Sequence, residues 1–209
     1  MGFGLLCFTS FFSLLNPFGV MPIFMSMTAN LDEQNRKLTA KKAIIVTFIT
    51  LLAFAFGGQL LFKLFGITVH SFRMAGGIIF FIMGFEMLQA RLSSIKISTE
   101  YEKKTFVDDV SVTPLAIPML AGPGTITTSI VLMDDADTPE LKAILIAIIL
   151  LICIITYISF ILSNAITKWF GETGMNVMMR LMGLILMVIA IEFFFKGLGP
   201  IIQKMMQTM

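Results

Sequence analysis

Charged residues are scarce in this sequence, and their scarcity excludes most soluble folds. Asp, Glu, Lys and Arg make up 13% of the 209 residues, about half of their share in a typical soluble domain. The apolar set AVILMFWYC makes up 57%, and the mean hydropathy is +0.93. A core of this length does not need so much apolar surface, so the excess is expected to face a lipid bilayer. The net charge of +2 is too small, and the basic residues are too scattered, to indicate nucleic-acid binding.

Cysteine and histidine are rare as well, and this excludes several kinds of chemistry. Cys7 and Cys153 are the only cysteines, and both lie in apolar runs, so they indicate packing and neither a disulfide framework nor a metal site. His70 is the only histidine and lies at the edge of an apolar run, which argues against a Ser–His dyad deep in a bilayer. The sequence contains no G-x-x-x-x-G-K-[ST] loop for ATP. We therefore expect no enzyme activity, no cofactor and no metal.

Long apolar runs dominate what is present. Six of them reach the roughly 20 residues that a membrane-spanning helix needs. They cover residues 3–27, 43–65, 69–88, 112–133, 141–164 and 176–198. The first run has neither a basic region before it nor an A-x-A-like cleavage site before Asn16, so we expect a retained span and not a removed signal peptide.

The longest polar connector, residues 91–111, divides the chain into two halves of three spans each, 1–90 and 112–209. We expect this connector to be a solvated cytoplasmic linker. Basic residues are concentrated in it and in the first loop, whereas the loop between spans four and five is acidic. Because positive loops stay in the cytoplasm, the first, third and fifth loops are predicted inside and both termini outside.

The first run is interrupted near its middle by residues that break helices. The stretch 13–22 reads Ser-Leu-Leu-Asn-Pro-Phe-Gly-Val-Met-Pro. Pro17 has no N–H, so the carbonyl of Ser13 loses its helical partner, and Pro22 has the same effect on Phe18. An unpaired carbonyl in hydrocarbon costs several kcal/mol unless protein or water satisfies it. We therefore expect this break to face a cavity.

A second break occurs in the fourth run, at residues 118–125, which read Pro-Met-Leu-Ala-Gly-Pro-Gly-Thr. Interrupted spans at matching places of two halves are typical of transporters built from a repeat. Pro17 and Pro123 lie 106 positions apart, as do Glu86 and Glu192. The sequence thus predicts an all-α membrane protein with six transmembrane helices, arranged as two inverted three-helix repeats in which helices 1 and 4 are discontinuous.

Two broken helices together form a binding site suited to a small zwitterion. A half-helix that begins at a break offers N–H groups to a carboxylate, and a half-helix that ends there offers carbonyls to an ammonium group. We expect the amides around Gly19 and Val20, and around Gly124 and Thr125, to be the carboxylate donors. The predicted substrate-binding residues are Ser13, Asn16, Pro17, Phe18, Gly19, Ala121, Gly122, Pro123, Gly124 and Thr125.

Other polar residues within the runs are candidates for the transport pathway or for coupling to an ion. These candidates are Thr9, Gln59, Glu86 and Thr128. A bland alternative is that the hydroxyls bond back to their own helical turn or join neighbouring helices. Four ionisable residues lie within one to two turns of a predicted helix end, where snorkelling or a structural ion pair also explains them. They are Arg73, Glu86, Arg180 and Glu192.

The sequence resembles the MarC family of bacterial inner-membrane proteins, which includes SnatA-type transporters of small neutral amino acids. The likeness rests on three motifs in order: Asn-Pro-Phe-Gly-Val-Met-Pro at 16–22, Arg-Met-Ala-Gly-Gly at 73–77 and Ala-Gly-Pro-Gly at 121–124. It extends over the whole chain in length and in the order of spans. The resemblance implies secondary transport of glycine or alanine coupled to protons, with residues 16–19 and 122–125 at the site.

Two other functions remain open from the residues alone. The same scaffold suits a channel or an exporter of drugs or metabolites, and a channel is expected to give flux that does not saturate. A non-transporting membrane protein is the other alternative. It predicts that the two breaks face dry packing with no polar cavity between them. The sequence does not specify the oligomeric state.

Overall fold

A computed structural model describes residues 2–89 and 107–208 of the chain. Its elements are all helices, and the described ranges contain no β-strand. In chain order they are α1 Phe3–Leu15, α2 Pro17–Met27, α3 Glu33–Phe65, α4 Val69–Leu88, α5 Val107–Leu120, α6 Pro123–Asp134 and α7 Pro139–Thr208. Of the predicted linker, residues 91–106 lie outside the described ranges. Its remaining residues, from Val107 onward, are helical.

Within the described ranges, five helical segments are long and apolar enough to cross a membrane, and the bent pair α5–α6 makes up to six. These segments are Phe3–Met27, Glu33–Phe65, Val69–Leu88, Pro139–Ser163 and Met179–Gln203. The six predicted runs each fall on one of these segments or on the bent pair. The last two segments both belong to α7, and we call them the first and second spans of α7.

The first span is interrupted at a single residue, Asn16, which lies in the left-handed region with φ 44° and ψ 66°. Asparagine is among the few residue types that adopt this conformation without glycine's freedom. Its side chain caps α2, because Oδ1 accepts a hydrogen bond from the N–H of Gly19 at 3.1 Å. Pro17 then occupies the first turn, where its missing N–H has no helical partner to lose. Pro22, which deprives the carbonyl of Phe18 of its helical partner, lies inside α2, which continues to Met27.

The α5–α6 pair is interrupted more strongly, with a bend of 61° between the two axes. Thr113 and Ile117 in α5 are extended, with φ near −130° and −124°. Each precedes a proline, and proline disfavours the helical region for the residue before it. The turn into α6 is held by Thr125, whose hydroxyl donates to the carbonyl oxygens of Leu120 and Gly122, both at 2.9 Å.

The two half-helices that follow the interruptions, α2 and α6, form the interior of the protein. Nine residues of each are buried. By contrast, α3, α4 and the second span of α7 expose large apolar side chains, for example Leu60, Ile78 and Phe195 at 71%, 53% and 62%. In a bilayer these outer faces contact lipid, and the polar backbone at the interruptions is kept away from it.

The second span of α7 packs antiparallel to α4 through glycines. An added Cβ at Gly84 would lie 2.7 Å from the carbonyl oxygen of Gly183, and one at Gly77 would lie 2.7 Å from that of Ala190. A third contact, between Gly197 and the carbonyl of His70, continues the same line. Small residues permit this close backbone approach, which replaces hydrophobic burial as the source of helix association in lipid.

Candidate functional site

A cavity of about 420 Å³ lies beside the interruption at Asn16. Five helices contribute to its wall, namely α1, α2, α4, α5 and the second span of α7. The lining residues are Ser13, Leu14, Leu15, Asn16, Gly19, Val20, Ile23, Phe80, Met119, Met182, Ile185, Leu186, Val188, Ile189, Glu192, Phe193 and Lys196. Most of this wall is apolar, with a small number of polar groups, which is typical of a small-molecule site. We call it the central cavity.

The first interruption contributes Ser13, Asn16 and Gly19 directly to the central cavity. Its amides are arranged differently from the prediction. The N–H of Gly19 donates to Oδ1 of Asn16, and the N–H of Val20 donates to the carbonyl oxygen of Asn16, both at 3.1 Å. These two amides were expected to bind a carboxylate, but the cap at Asn16 already satisfies them. Pro17 is buried, and Phe18 is 60% exposed and packs edge-on against Phe12, so the cavity wall contains neither.

The second interruption lies behind two aromatic rings of the cavity wall. The rings of Phe80 and Phe193 meet edge to face with centroids 6.1 Å apart, and we call them the aromatic pair. An added Cβ at Gly122 would lie 2.6 Å from the ring of Phe80, and one at Gly124 would lie 2.5 Å from that of Phe193. The residues predicted here, Ala121 to Thr125, are all buried. Met119, just before them, reaches the cavity itself.

The two interruptions are therefore neighbours in the fold. Gly124 follows the second, and an added Cβ there would lie 3.2 Å from Cδ2 of Leu14, two residues before Asn16. Pro123 packs against Gly76 of α4, where an added Cβ would lie 1.9 Å from the proline ring. Only the glycines at positions 76, 122 and 124 permit the second interruption to approach α4 and the aromatic pair this closely.

The structure places the four predicted pathway residues away from the central cavity wall. The hydroxyl of Thr9 donates to the carbonyls of Leu5 and Leu6 in its own helix, as the bland alternative expects. Thr128 is half-buried in α6, and Glu86 is exposed near the end of α4. Gln59 lines a separate and more open cavity of about 440 Å³ at the junction of α3, α4 and α6.

An ion pair in the central cavity was missed from the sequence. Lys196 Nζ lies 3.2 Å from Glu192 Oε2, one helical turn away, and both side chains line the cavity. From the sequence, Glu192 was placed near the end of the span 176–198 and was not paired with Lys196. The available signal was the spacing of a carboxylate and a lysine at i and i+4 in an apolar run, which is typical of a helical ion pair.

An all-helical chain with five to six spans and an interior cavity at helix interruptions is a multi-pass integral membrane protein. The chain belongs to the MarC family of integral membrane proteins, whose signature matches residues 2–202. It is 40% identical over 201 residues to the UPF0056 membrane protein YvbG of Bacillus subtilis, covering 93% of this chain and 95% of that protein. It is 37% identical over 194 residues to the UPF0056 membrane protein MJ1677 of Methanocaldococcus jannaschii, covering 93% and 95%. No solved structure matches the chain.

Proposed function

We propose that this protein is a secondary transporter of small neutral amino acids, with glycine and alanine as substrates, and that the central cavity holds the substrate. A single observation carries the proposal. The Asn16 interruption lines the central cavity. The second interruption, just before Pro123, packs against the aromatic pair of the cavity wall. Two interruptions gathered at one cavity are what alternating-access transporters use to bind a small ion or zwitterion near the midplane.

The proposed architecture is two inverted three-helix repeats, with α1–α2 and α5–α6 as the discontinuous helices. Two features of the fold support it. The half-helices α2 and α6 are equally enclosed, with nine buried residues each. The third span, α4, and the last span pack antiparallel, as halves that enter the membrane in opposite directions require. We place the protein in the bacterial inner membrane with both termini outside, as the loop charges predict.

The size of the cavity and the family resemblance support glycine or alanine as the substrate. About 420 Å³ is near the lower end of small-molecule sites, so it suits a small amino acid with a few waters. The resemblance to SnatA-type transporters within the MarC family favours glycine or alanine, carried with protons. On this proposal the chain needs no cofactor and no metal, and it performs no enzymatic reaction.

Uptake by proteoliposomes under an imposed pH gradient tests the proposal. We expect saturable uptake and counterflow of labelled glycine or alanine by the full chain. Asn16→Leu removes the cap and a polar group of the cavity wall, and Gly122→Val forces a side chain against Phe80 and the carbonyl of Pro118. Each is expected to reduce uptake about tenfold or more. Thr9→Val is the control, because the Thr9 hydroxyl bonds only within its own helix in the described contacts.

Three results would contradict the proposal. Absence of flux for every small amino acid would remove the transporter function altogether. Flux that neither saturates nor shows counterflow would instead indicate a channel on the same scaffold. Uptake that survives Asn16→Leu and Gly122→Val unchanged would move the substrate away from the central cavity. Melting temperatures of the purified variants separate lost transport from lost folding.

A further inference from the structure

The Glu192–Lys196 ion pair places two charges in the apolar helical segment Met179–Gln203. An ionised side chain within a membrane span is expensive unless it faces a water-filled cavity or a partner. Both side chains are largely exposed, at 64% for Glu192 and 66% for Lys196, and both belong to the wall of the central cavity. The pair is therefore accessible to whatever enters the cavity.

Several other backbone groups at the two interruptions are engaged or lie outside the cavity wall. The amides of Gly19 and Val20 serve the cap at Asn16, and the carbonyl oxygens of Leu120 and Gly122 accept from Thr125. Gly124 and Thr125, whose amides were also expected to bind a carboxylate, are buried and do not line the cavity. Among the described residues of the cavity wall, the charged ones are Glu192 and Lys196. Asn16 and Ser13 supply neutral polar groups beside them. The ion pair is therefore the part of the cavity wall that offers a charged partner to both ends of a zwitterion.

We infer that Glu192 and Lys196 are the specificity-determining residues of the central cavity, opening to bind the ammonium group of the ligand at Glu192 and its carboxylate at Lys196. This inference rests on the proposed function. An α-amino acid carries both charges on one carbon, so it can bridge two side-chain heads that already touch. It also keeps the net charge of the apolar cavity at zero, whereas a lone cation or anion leaves an unbalanced charge in a low-dielectric site.

Ligand-induced shifts in the melting temperature of the purified full-length protein test this inference without depending on flux. The probes are glycine, methylammonium and acetate, which carry both charges, the positive one alone and the negative one alone. The wild-type protein is expected to bind glycine and to bind the two single ions weakly. Glu192→Gln is expected to weaken glycine binding about tenfold or more and to strengthen acetate binding, because Lys196 then lacks its partner. Lys196→Met is expected to weaken glycine binding similarly and to strengthen methylammonium binding.

Three further variants keep the result interpretable. Exchanging the charges, with Glu192→Lys and Lys196→Glu in one protein, retains both groups in the cavity and is expected to restore part of the glycine binding. The matched control is the pair Glu33–Lys37 on α3, which has the same spacing at 2.6 Å and lies away from the cavity. Glu33→Gln and Lys37→Met are expected to leave all three ligand responses unchanged.

The outcomes separate this inference from the proposed function. If wild-type protein binds glycine and the two single variants keep that binding and its charge preference, the inference is overturned and the transporter proposal stands. If glycine binding falls without opposite shifts toward acetate and methylammonium, the pair has only a structural role and the inference is again overturned. If wild-type protein neither binds nor transports any small amino acid, the proposed function fails and this inference fails with it.

Discussion

Asn16 combines a backbone conformation and a side-chain bond that few residues supply together. Its φ of 44° lies in the left-handed region, and its Oδ1 accepts from the N–H of Gly19. Glycine adopts the same backbone conformation but has no side chain for the cap. Alanine provides neither. The position therefore separates the two contributions by substitution.

We predict that Asn16→Ala lowers the free energy of unfolding by about 2 kcal/mol or more, the sum of a lost cap and a strained left-handed residue. Asn16→Gly is expected to lower it by only a few tenths of a kcal/mol, since glycine retains the conformation and serves moderately well as a cap. Denaturation of the purified variants in detergent measures both. Equal stability of the Ala and Gly variants would mean that the left-handed geometry is not maintained in the protein.

Gly76 of α4 is the residue against which Pro123, at the second interruption, packs. A Cβ at this position would lie 1.9 Å from Cγ of Pro123 and 2.4 Å from its Cβ. A proline ring has little freedom to move away, so the helices must separate. Gly57, by contrast, has no atom within 4 Å of an added Cβ.

We expect Gly76→Ala to destabilise the protein by about 1–3 kcal/mol through overpacking. Gly57→Ala, in the same assay, is expected to be neutral or to stabilise by up to about 1 kcal/mol, because alanine favours the helix. Thermal melting of the two variants side by side checks the difference. A harmless Gly76→Ala would place Pro123 away from α4 and would weaken the description of the central cavity.

Close glycine packing and a salt bridge both join helices in this fold, and their strengths differ. Close glycine packing joins α4 to the second span of α7, where Gly84 and Gly183 approach each other's carbonyls. A salt bridge between Lys42 and Asp108 joins α3 to α5, and its side chains are 35% and 51% exposed. The first contact is steric and enclosed, whereas the second is open to water and salt.

Substitution in the glycine contact is therefore expected to matter more than substitution in the salt bridge. Gly84→Ala should cost about 1–3 kcal/mol, since the added methyl meets backbone that cannot rotate away. Asp108→Asn should cost at most about 1 kcal/mol, and the loss should disappear at high salt. Unfolding measured at low and high ionic strength distinguishes the two contacts. If Asp108→Asn instead caused the larger loss of stability, and if that loss depended on salt, the salt bridge between α3 and α5 would be the stronger contact.

The whole molecule has a predicted orientation that cysteine labelling can test. Cys7 and Cys153 are both buried, so they give little background. Gln34, in the first turn of α3 beside the first loop, and Asp137, in the loop between α6 and α7, are both exposed. With positive loops inside, an impermeant maleimide added to intact cells is expected to label Asp137→Cys and not Gln34→Cys.

Permeabilised cells provide the control, because both variants should then react. Labelling of Gln34→Cys alone in intact cells would invert the topology and place both termini in the cytoplasm. Labelling of both variants in intact cells would contradict a single orientation. It would indicate that the chain inserts into the membrane in both directions.

The membrane spans could be predicted from the sequence because a helix must contain an apolar run of a certain length to cross a bilayer. The predicted run 69–88 coincides with α4, and the run 3–27 coincides with the first span. The position of Glu192 in the cavity wall could not be predicted, since only packing shows which face of an apolar helix lines a cavity. Which amides the first interruption leaves available was not readable either. That depends on the left-handed conformation of Asn16, which turns its side chain onto Gly19.

The enclosure of α2 and α6 could not be predicted for a related reason. Helices that are apolar on every side give no periodic signal for the face that is buried, so composition alone cannot separate an inner half-helix from an outer one. The aromatic pair was missed for the same reason. Phe80 and Phe193 are two of 21 phenylalanines in the chain, and only packing distinguishes them from the others.

The enclosure of α2 and α6 also separates the cavity from the thickness of the surrounding membrane. The apolar run of the outer helix α3, residues 43–65, is about 35 Å long, somewhat above the roughly 30 Å of a hydrocarbon layer, so it meets hydrophobic mismatch by changing its tilt. The inner half-helices have little contact with acyl chains and no mismatch to relieve. Bilayers of short or long acyl chains should therefore reorient the periphery of the protein while the geometry around Asn16 stays constant.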